Sequence, residues 1–292
     1  MKAPWSAGTA PATLVLPPGS VDCHHHIYDH RFPYAPDVSL RPPHADVAQY
    51  RQLQQRLGLQ RSVVVQPSSY GTDNRCLLDA LAQFGGRSRG IAVIDLQTTD
   101  TELRRMHEAG VRGIRFNLSR PAGAGMDLLA ALADRIAPMG WHIQFHTLGG
   151  SYPAMEEALS RLPTTLVIDH LGRVPQPDSL HHPATGTLRR LVDQGRTWIK
   201  LSGAYHDSVD GAPGYADAGV LSRYWLQRAP ERVVWGTDWP HPAAMVGEKP
   251  MPDDAQLLDL LGLWLPQENL LEQVMVGNPE RLYDFQPTGA TP

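Results

Sequence analysis

Cysteine is almost missing. Cys23 and Cys76 are the two in 292 residues. That is too few for a disulfide framework and suits a reducing, cytoplasmic setting. Long apolar runs are missing as well. Nothing approaches the roughly 18 apolar residues of a membrane span, and Leu14-Val15-Leu16 is too short for the apolar core of a secretion signal. Charge of one sign is not in excess: 26 basic residues face 30 acidic ones, net -4. With no basic stripe, nucleic acid is not an expected partner. No glycine-rich fingerprint follows the first apolar run, which weakens a dinucleotide-binding sheet.

The chain does hold enough apolar residues, 42%, for one large core. Short β-branched runs alternate with amphipathic stretches throughout. Strands are predicted at 20–27, 62–68, 90–96, 111–118, 141–147, 164–170, 197–203 and 232–238. Several are apolar almost end to end, as in Val63-Val64-Val65, the pattern of parallel strands buried on both faces. Helices are predicted near 45–57, 73–84, 99–109, 126–139, 153–162, 187–194, 217–229 and 253–264. Asp73 is a capping-type start, and Thr99 with Glu102 forms a capping box. Eight such units argue for a single-domain, distorted (β/α)8 TIM-type barrel over 20–285. An open doubly wound sheet is the alternative. Residues 1–19 read as an extended arm and 286–292 as a flexible tail.

In such a barrel, function sits at the C-terminal strand ends, and here those ends are polar. His24 and His26 share a strand face while His25 points to the helix layer. Ser68 and Tyr70 follow strand two, with Asn74 just beyond, and Arg115 and Asn117 end strand four. His142, Gln144 and His146 lie on strand five, with His142 deeper in the barrel. His170 ends strand six, Tyr205 and His206 follow strand seven, and Asp238 ends strand eight with His241 beyond. A lone strand histidine is ordinarily a satisfied core residue. The convergence of His24, His26, His146, His170 and Asp238 on one end is what points to chemistry. Arg115 in an apolar run is costly unless it meets an anion. The long segment from Tyr28 to His44, carrying Tyr34 and Arg41, has the length of a lid. His181 and His182 read as solvated loop residues.

The motif set is familiar. Val-Asp-Cys-His-His-His at 21–26, Gly-Val-Arg-Gly-Ile-Arg-Phe-Asn at 110–117, Ile-Asp-His-Leu-Gly-Arg at 168–173, Lys-Leu-Ser-Gly-Ala-Tyr at 200–205, Trp-Gly-Thr-Asp-Trp-Pro-His-Pro at 235–242 and Asn-Pro-Glu-Arg-Leu-Tyr at 278–283 appear in order. Together they resemble the amidohydrolase superfamily (amidohydrolase-related family 2). Within it, the resemblance is to the lactonase-like group that includes 2-pyrone-4,6-dicarboxylate lactonases and D-galactarolactone isomerases. The resemblance implies that His24, His26 and His170 are catalytic histidines and Asp238 the general base. It implies that Arg115 meets a substrate carboxylate, with Arg120 a second such arginine shifted by one residue. The chain departs from the pyrone lactonase pattern at Leu40, His146 and His206, which puts the dicarboxylate pyrone in doubt. Ser202 to Tyr205 with Tyr215-Ala216-Asp217 is closer to the isomerase and to sugar lactonases.

These residues imply water attack on a lactone carbonyl, activated by Asp238, on a sugar-acid lactone or a carboxylated pyrone or muconolactone. Lactone isomerisation, metal-assisted decarboxylation and a noncatalytic binding barrel are the competing readings. Ser68, Tyr70, Asn74, Asn117, Arg41, Arg120, His146, Tyr205, His206 and His241 are the expected substrate contacts. The resemblance implies that no metal is required, since close relatives in this group work without one, and an ionised carboxylate among imidazoles would favour protonated histidines that suit such a site. If a single zinc binds, His24, His26, Asp238 and His146 are its expected ligands. Arg115 stands where many binuclear relatives carry a bridging residue, which disfavours two metals. The partner is a small lactone or carboxylate, and a homo-oligomer is compatible with the chain.

Overall fold

Strand pairing follows chain order. A computed structural model describes residues 2–120 and 125–288. Its eight strands are β1 (Val21–His25), β2 (Arg61–Val65), β3 (Ser88–Ala92), β4 (Val111–Asn117), β5 (His142–His146), β6 (Leu166–Ile168), β7 (Thr197–Leu201) and β8 (Val233–Trp235). They pair in parallel from β1 to β8 as one sheet. Between them run α1 (Val47–Leu57), α2 (Arg75–Phe84), α3 (Asp100–Glu108), α4 (Leu129–Ile136), α5 (Tyr152–Ser160), α6 (Pro183–Asp193) and α7 (Ala216–Arg228). After β8 come α8 (Pro242–Met245), α9 (Asp254–Trp264), α10 (Leu270–Glu272) and α11 (Asn278–Tyr283). The arrangement is a single (β/α)8 barrel, closed at the β8–β1 seam by side chains and loop backbone. Among the described residues no helix is long and apolar enough to cross a membrane.

Local chemistry explains the elements. Thr99 and Glu102 form the anticipated capping box of α3. Helix α2 starts two residues later than expected: Asn74, not Asp73, occupies its cap position. Asp73 instead accepts from the N–H and guanidinium of Arg75. Strands β6 and β8 are short because their predicted polar ends leave the ladder to build the site. The segments α10 and α11 have no predicted counterpart. They bring Tyr283 and Phe285 into a buried cluster with Val21, Cys23, Val63, Val65, Ile91, Val167 and Val234. Arg61 and Arg89, at the starts of β2 and β3, cover Phe285 with their guanidinium groups. That places the C-terminal plug at the N-terminal end of the barrel and leaves the other end open for a ligand.

The arm carries no helix or strand across residues 2–19 and binds the helix layer. Arg56 of α1 donates to Ser6 and to the Ala7 carbonyl, and Asp259 of α9 accepts from the Thr13 and Leu14 N–H groups. Residues 286–288 of the expected tail are tied down. Arg61 donates to the Gln286 carbonyl, and Glu280 accepts from Thr288. Residues 289–292 lie outside the described residues.

The seam between β1 and β8 depends on one carboxylate. Asp22 accepts from the His24 and Thr237 N–H groups at 3.0 Å each, and from the hydroxyls of Thr237 and Tyr50 at 2.7 and 2.8 Å. The register of β1 against β2 shifts between Asp22 and His25. Cys23 can therefore join the interior cluster while His24 and His26 still point into the barrel and His25 faces outward. His25 stacks on Tyr50 of α1 with ring centroids 3.6 Å apart, as its strand parity requires. Gly236 lets the strands meet, since a Cβ there would stand 2.7 Å from the His24 N and Cβ atoms. Asp22→Ala is expected to strand these buried donors and cost about 3 kcal/mol or more. That should lower the thermal midpoint by roughly 5–10 °C, and an unchanged melting curve would remove Asp22 from the seam.

Candidate active site

A cavity of about 220 Å³ opens at the C-terminal end of the strands. His26, Leu40, Ser68, Arg115, Asn117, Arg120, His146, His170, Arg173, His206 and Asp238 line it, with Glu248 and Lys249 at one side. Asp238 is its buried centre. Its Oδ1 atom stands 3.6 Å from Nε2 of His24, 3.6 Å from Nε2 of His26 and 3.8 Å from Nε2 of His170. Its Oδ2 atom accepts from the Tyr205 hydroxyl at 2.5 Å and lies 3.1 Å from His206 Nε2. The backbone of Asp238 is left-handed, φ 64°, in a chain where few side chains adopt that region. Such a conformation costs on the order of 1–3 kcal/mol and survives only where neighbours hold it. Here the Asp238 N–H donates to the His24 carbonyl at 2.8 Å, and the Asp238 carbonyl accepts from His241 N–H at 2.8 Å.

Each histidine is held from behind. His26 Nδ1 is 2.7 Å from the Val65 carbonyl, which can only accept. A proton is therefore on Nδ1, and Nε2 turns to the cavity and to Asp238. His170 Nδ1 pairs with Ser202 at 2.8 Å. Gly203, φ +61°, lets the β7 loop press against these rings, because a Cβ there would meet His206 and His170 within 3 Å. His24 Nδ1 faces Asp169 at 3.3 Å.

Burial decides the protonation of the rings. It lowers His24 to about 3, against the opposing charge of Asp169. Burial also pushes His146 and His170 well below the usual histidine range, and lowers His206. The expectation of protonated imidazoles therefore does not hold for these rings: desolvation outweighs the attraction of the carboxylates. Burial also works against an ionised Asp238, but the adjacent His170 and the hydrogen bonds of His206 and His26 hold it well below the usual carboxylate range. The site is an anion facing neutral nitrogen donors.

A second buried carboxylate forms the floor. Asp169 Oδ2 accepts from Arg115 Nε at 3.3 Å and from Gln144 at 3.1 Å, and Lys200 Nζ stands 3.6 Å from Oδ1. Lys200 also donates to Gln144 Oε1 at 2.6 Å and to the Cys23 carbonyl at 2.8 Å. Burial lowers the Lys200 ammonium to about 8, with Asp169 opposing it. Sequence reasoning passed over Lys200 and the role of Asp169. The signal was present: a lone cation inside Trp198-Ile199-Lys200-Leu201 is as costly as Arg115 inside its own strand.

The anticipated substrate contacts divide. Ser68, Asn117, Arg115, Arg120, His146 and His206 reach the cavity wall. Asn117 donates to Ser68 at 2.9 Å, and Arg120 pairs with Glu248. The others face elsewhere. The Tyr70 hydroxyl is used by the Asp29 backbone, and the Asn74 amide by the backbone of Val93. The exposed Arg41 donates to the Ala35 and Pro36 carbonyls within its own loop. Tyr205 and His241 lie behind Asp238. The Tyr28–His44 segment is braced by Tyr34, which donates to the Pro42 carbonyl at 2.6 Å, and it brings Leu40 to the cavity. Arg173 was not anticipated. It pairs with Asp207 at 2.6 Å and lies 3.3 Å from His146 Nε2. His146 is thereby set between Arg115 and Arg173 rather than with the ligand-like group. Among the described residues, His24, His26 and Asp238 cluster within metal-binding distance, as do His170, His206 and Asp238.

A family model described as Amidohydrolase matches residues 21–285. The chain belongs to the amidohydrolase family. It is 35% identical over 291 residues to a 2-pyrone-4,6-dicarboxylate hydrolase of Comamonas testosteroni, covering 96% of this chain and 94% of that protein. It is 33% identical over 288 residues to a D-galactarolactone isomerase of Agrobacterium fabrum, covering 98% and 97%. A crystal structure of an Agrobacterium tumefaciens protein in its apo form superposes with a TM-score of 0.87 at 31% identity, covering 96% of this chain and all of that one.

The lowered histidines set a pH expectation. A ring whose folded pKa falls below 6.5 stays neutral until the pH drops beneath that lowered value, and Asp238 stays ionised over the same span. The acid limb of kcat/KM is therefore expected below pH 6.5. A limb at 6.5 or above, measured over a full pH series, would contradict a site of neutral imidazoles.

Proposed function

We propose that this amidohydrolase opens the ring of a small lactone by hydrolysis, with Asp238 as general base. The observation that carries the reading is the division of labour at Asp238. Oδ2 is gripped by Tyr205 and His206, while Oδ1 faces the cavity among three imidazoles. A water at Oδ1 would lose its proton as it attacks the ester carbonyl, and the protonated Asp238 would then return that proton to the departing ring oxygen. Among the imidazoles around that point, His170 can donate to the charge developing on the carbonyl oxygen, since its Nδ1 can accept from Ser202 and leave the proton on Nε2. The opposite wall offers Arg115, Arg120, Arg173 and Lys249, which suits a substrate carrying a carboxylate away from the scissile ester. Both relatives act, by their names, on carboxylated or sugar-acid lactones. Isomerisation is the second reading: the same base would serve transfer of the acyl group to another hydroxyl of one sugar acid. A reducing cytoplasm fits the two free, buried cysteines.

A panel of 1,4- and 1,5-lactones and pyrone carboxylates tests the reading. Proton release marks hydrolysis, and a changed NMR spectrum without proton release marks isomerisation. Asp238→Asn is expected to cut turnover by about 10²- to 10⁴-fold, the range of general-base catalysis, with the fold retained. Turnover within tenfold of the parent would dismiss Asp238 as base.

The donors also fit one divalent ion. His24, His26, the ionised Asp238 and the adjoining His170 offer the nitrogen and oxygen ligands that zinc prefers. The His26–Val65 bond is the kind of backing such ligands have. His146, engaged by Arg115 and Arg173, is not in this set. An ion there would supply Lewis-acid polarisation of the carbonyl oxygen. Metal analysis is expected to find about one equivalent per chain, with turnover lost on chelation and restored on reloading. Full turnover by metal-free protein would assign polarisation to the imidazoles alone.

A further inference from the structure

A buried line of side chains runs away from the cavity behind Asp238. Asp254, the first residue of α9, stands 3.1 Å from Nε2 of His241. Nδ1 of His241 stands 3.1 Å from the Tyr205 hydroxyl, and that hydroxyl donates to Asp238 Oδ2 at 2.5 Å. All four residues are buried. Neither Tyr205 nor His241 lines the cavity. Three parts of the chain thus meet in one series of contacts: the loop after β7, the turn after β8, and the start of α9.

The hydrogen count fixes the direction of the first two links. Tyrosine has a single hydroxyl proton, and here it goes to Asp238. The contact between His241 Nδ1 and the Tyr205 oxygen is then satisfied only if Nδ1 carries a proton. His241 thus donates from Nδ1 to the tyrosine oxygen, and Asp254 holds the ring from its other side at 3.1 Å. The tyrosine cannot turn its proton toward His241, so it points at Asp238 and nowhere else.

We propose that Tyr205, His241 and Asp254 act as one positioning chain that selects which oxygen of Asp238 is free to react. The inference rests on the reading of Asp238 as the base. Tyr205 occupies Oδ2 on the side away from the cavity, and His206 approaches the same atom. Oδ1 is the oxygen left to face water. Without the chain the carboxylate could rotate and exchange its two oxygens, and each exchange would take the base out of line. Small misplacements of a reacting group are costly in rate even when binding is untouched. Tyr205 and His241 are thus assigned to the base rather than to the substrate.

Steady-state kinetics of four variants test this, using whichever lactone of the panel the parent protein turns over. Tyr205→Phe removes one oxygen and is expected to lower kcat about 10- to 100-fold with KM little changed. His241→Ala should fall in the same range. His241→Asn keeps a donor near the place of Nδ1 and should recover part of the loss. The Tyr205→Phe/His241→Ala double variant should be no slower than Tyr205→Phe alone, because residues that act as a unit are not additive. A parent-like kcat in Tyr205→Phe overturns the proposal. So does a raised KM at unchanged kcat, which would make these residues substrate contacts, and so do losses that multiply in the double variant. An active Asp238→Asn protein would instead bring down the reading of the base, so the two failures are distinct.

Discussion

An ionised carboxylate has to stay charged at the end of β8, inside a barrel that has taken most of the water away from it. The rest of the site follows from that constraint. A buried anion without partners would cost far more than a domain of this size can spare. Asp238 accordingly meets Tyr205, His206 and three further histidines. Burial in turn lowers His24, His170 and His206, which favours their neutral forms. The same demand explains the floor. Asp169 is as buried as Asp238, but its neighbours include two cations, Arg115 and Lys200, beside Gln144 and His24. Two carboxylates of one barrel thus keep their charge by different means, one among imidazoles and a tyrosine, the other beside cations.

Much of this was legible in the chain. Strand-end histidines at period two, the polar end of β8 and the parity of His25 follow from strand geometry alone. So does the order of the eight strands, once β-branched runs alternate with helical ones. The errors share a cause. Tyr70, Asn74 and Arg41 were expected at the substrate because they sit near strand ends. Each is a loop residue whose side chain satisfies backbone groups that no regular structure pairs: Asp29 for Tyr70, Val93 for Asn74, and Ala35 and Pro36 for Arg41. A polar residue beside a strand end has two employers, the ligand and the loop backbone, and spacing does not separate them.

Residues from distant segments were the least legible. Arg173 reads as part of a motif, but its partner Asp207 lies beyond β7. Asp254 reads as the helix start it is, and nothing in its neighbourhood announces a histidine 13 positions earlier. Lys200 is the exception, since an unpaired cation in an apolar strand is a visible anomaly. It shows that the cost of burying charge carries further than motif spacing: it marks residues that must have a partner without saying which.

The closure of the barrel and the chemistry of its mouth are one problem. Asp22 gathers donors from β1, from Thr237 after β8 and from Tyr50 of α1. The register shift it sits beside turns His24 and His26 inward. One step further along the seam, His24 accepts from the Asp238 N–H and His26 donates its N–H to the Trp239 carbonyl. The backbone that joins first strand to last is therefore the backbone that sets the distance between the histidines and Asp238. A change that loosens the seam should move the two sides of the active site apart before it unfolds the barrel, so stability and catalysis are coupled here through the same few hydrogen bonds.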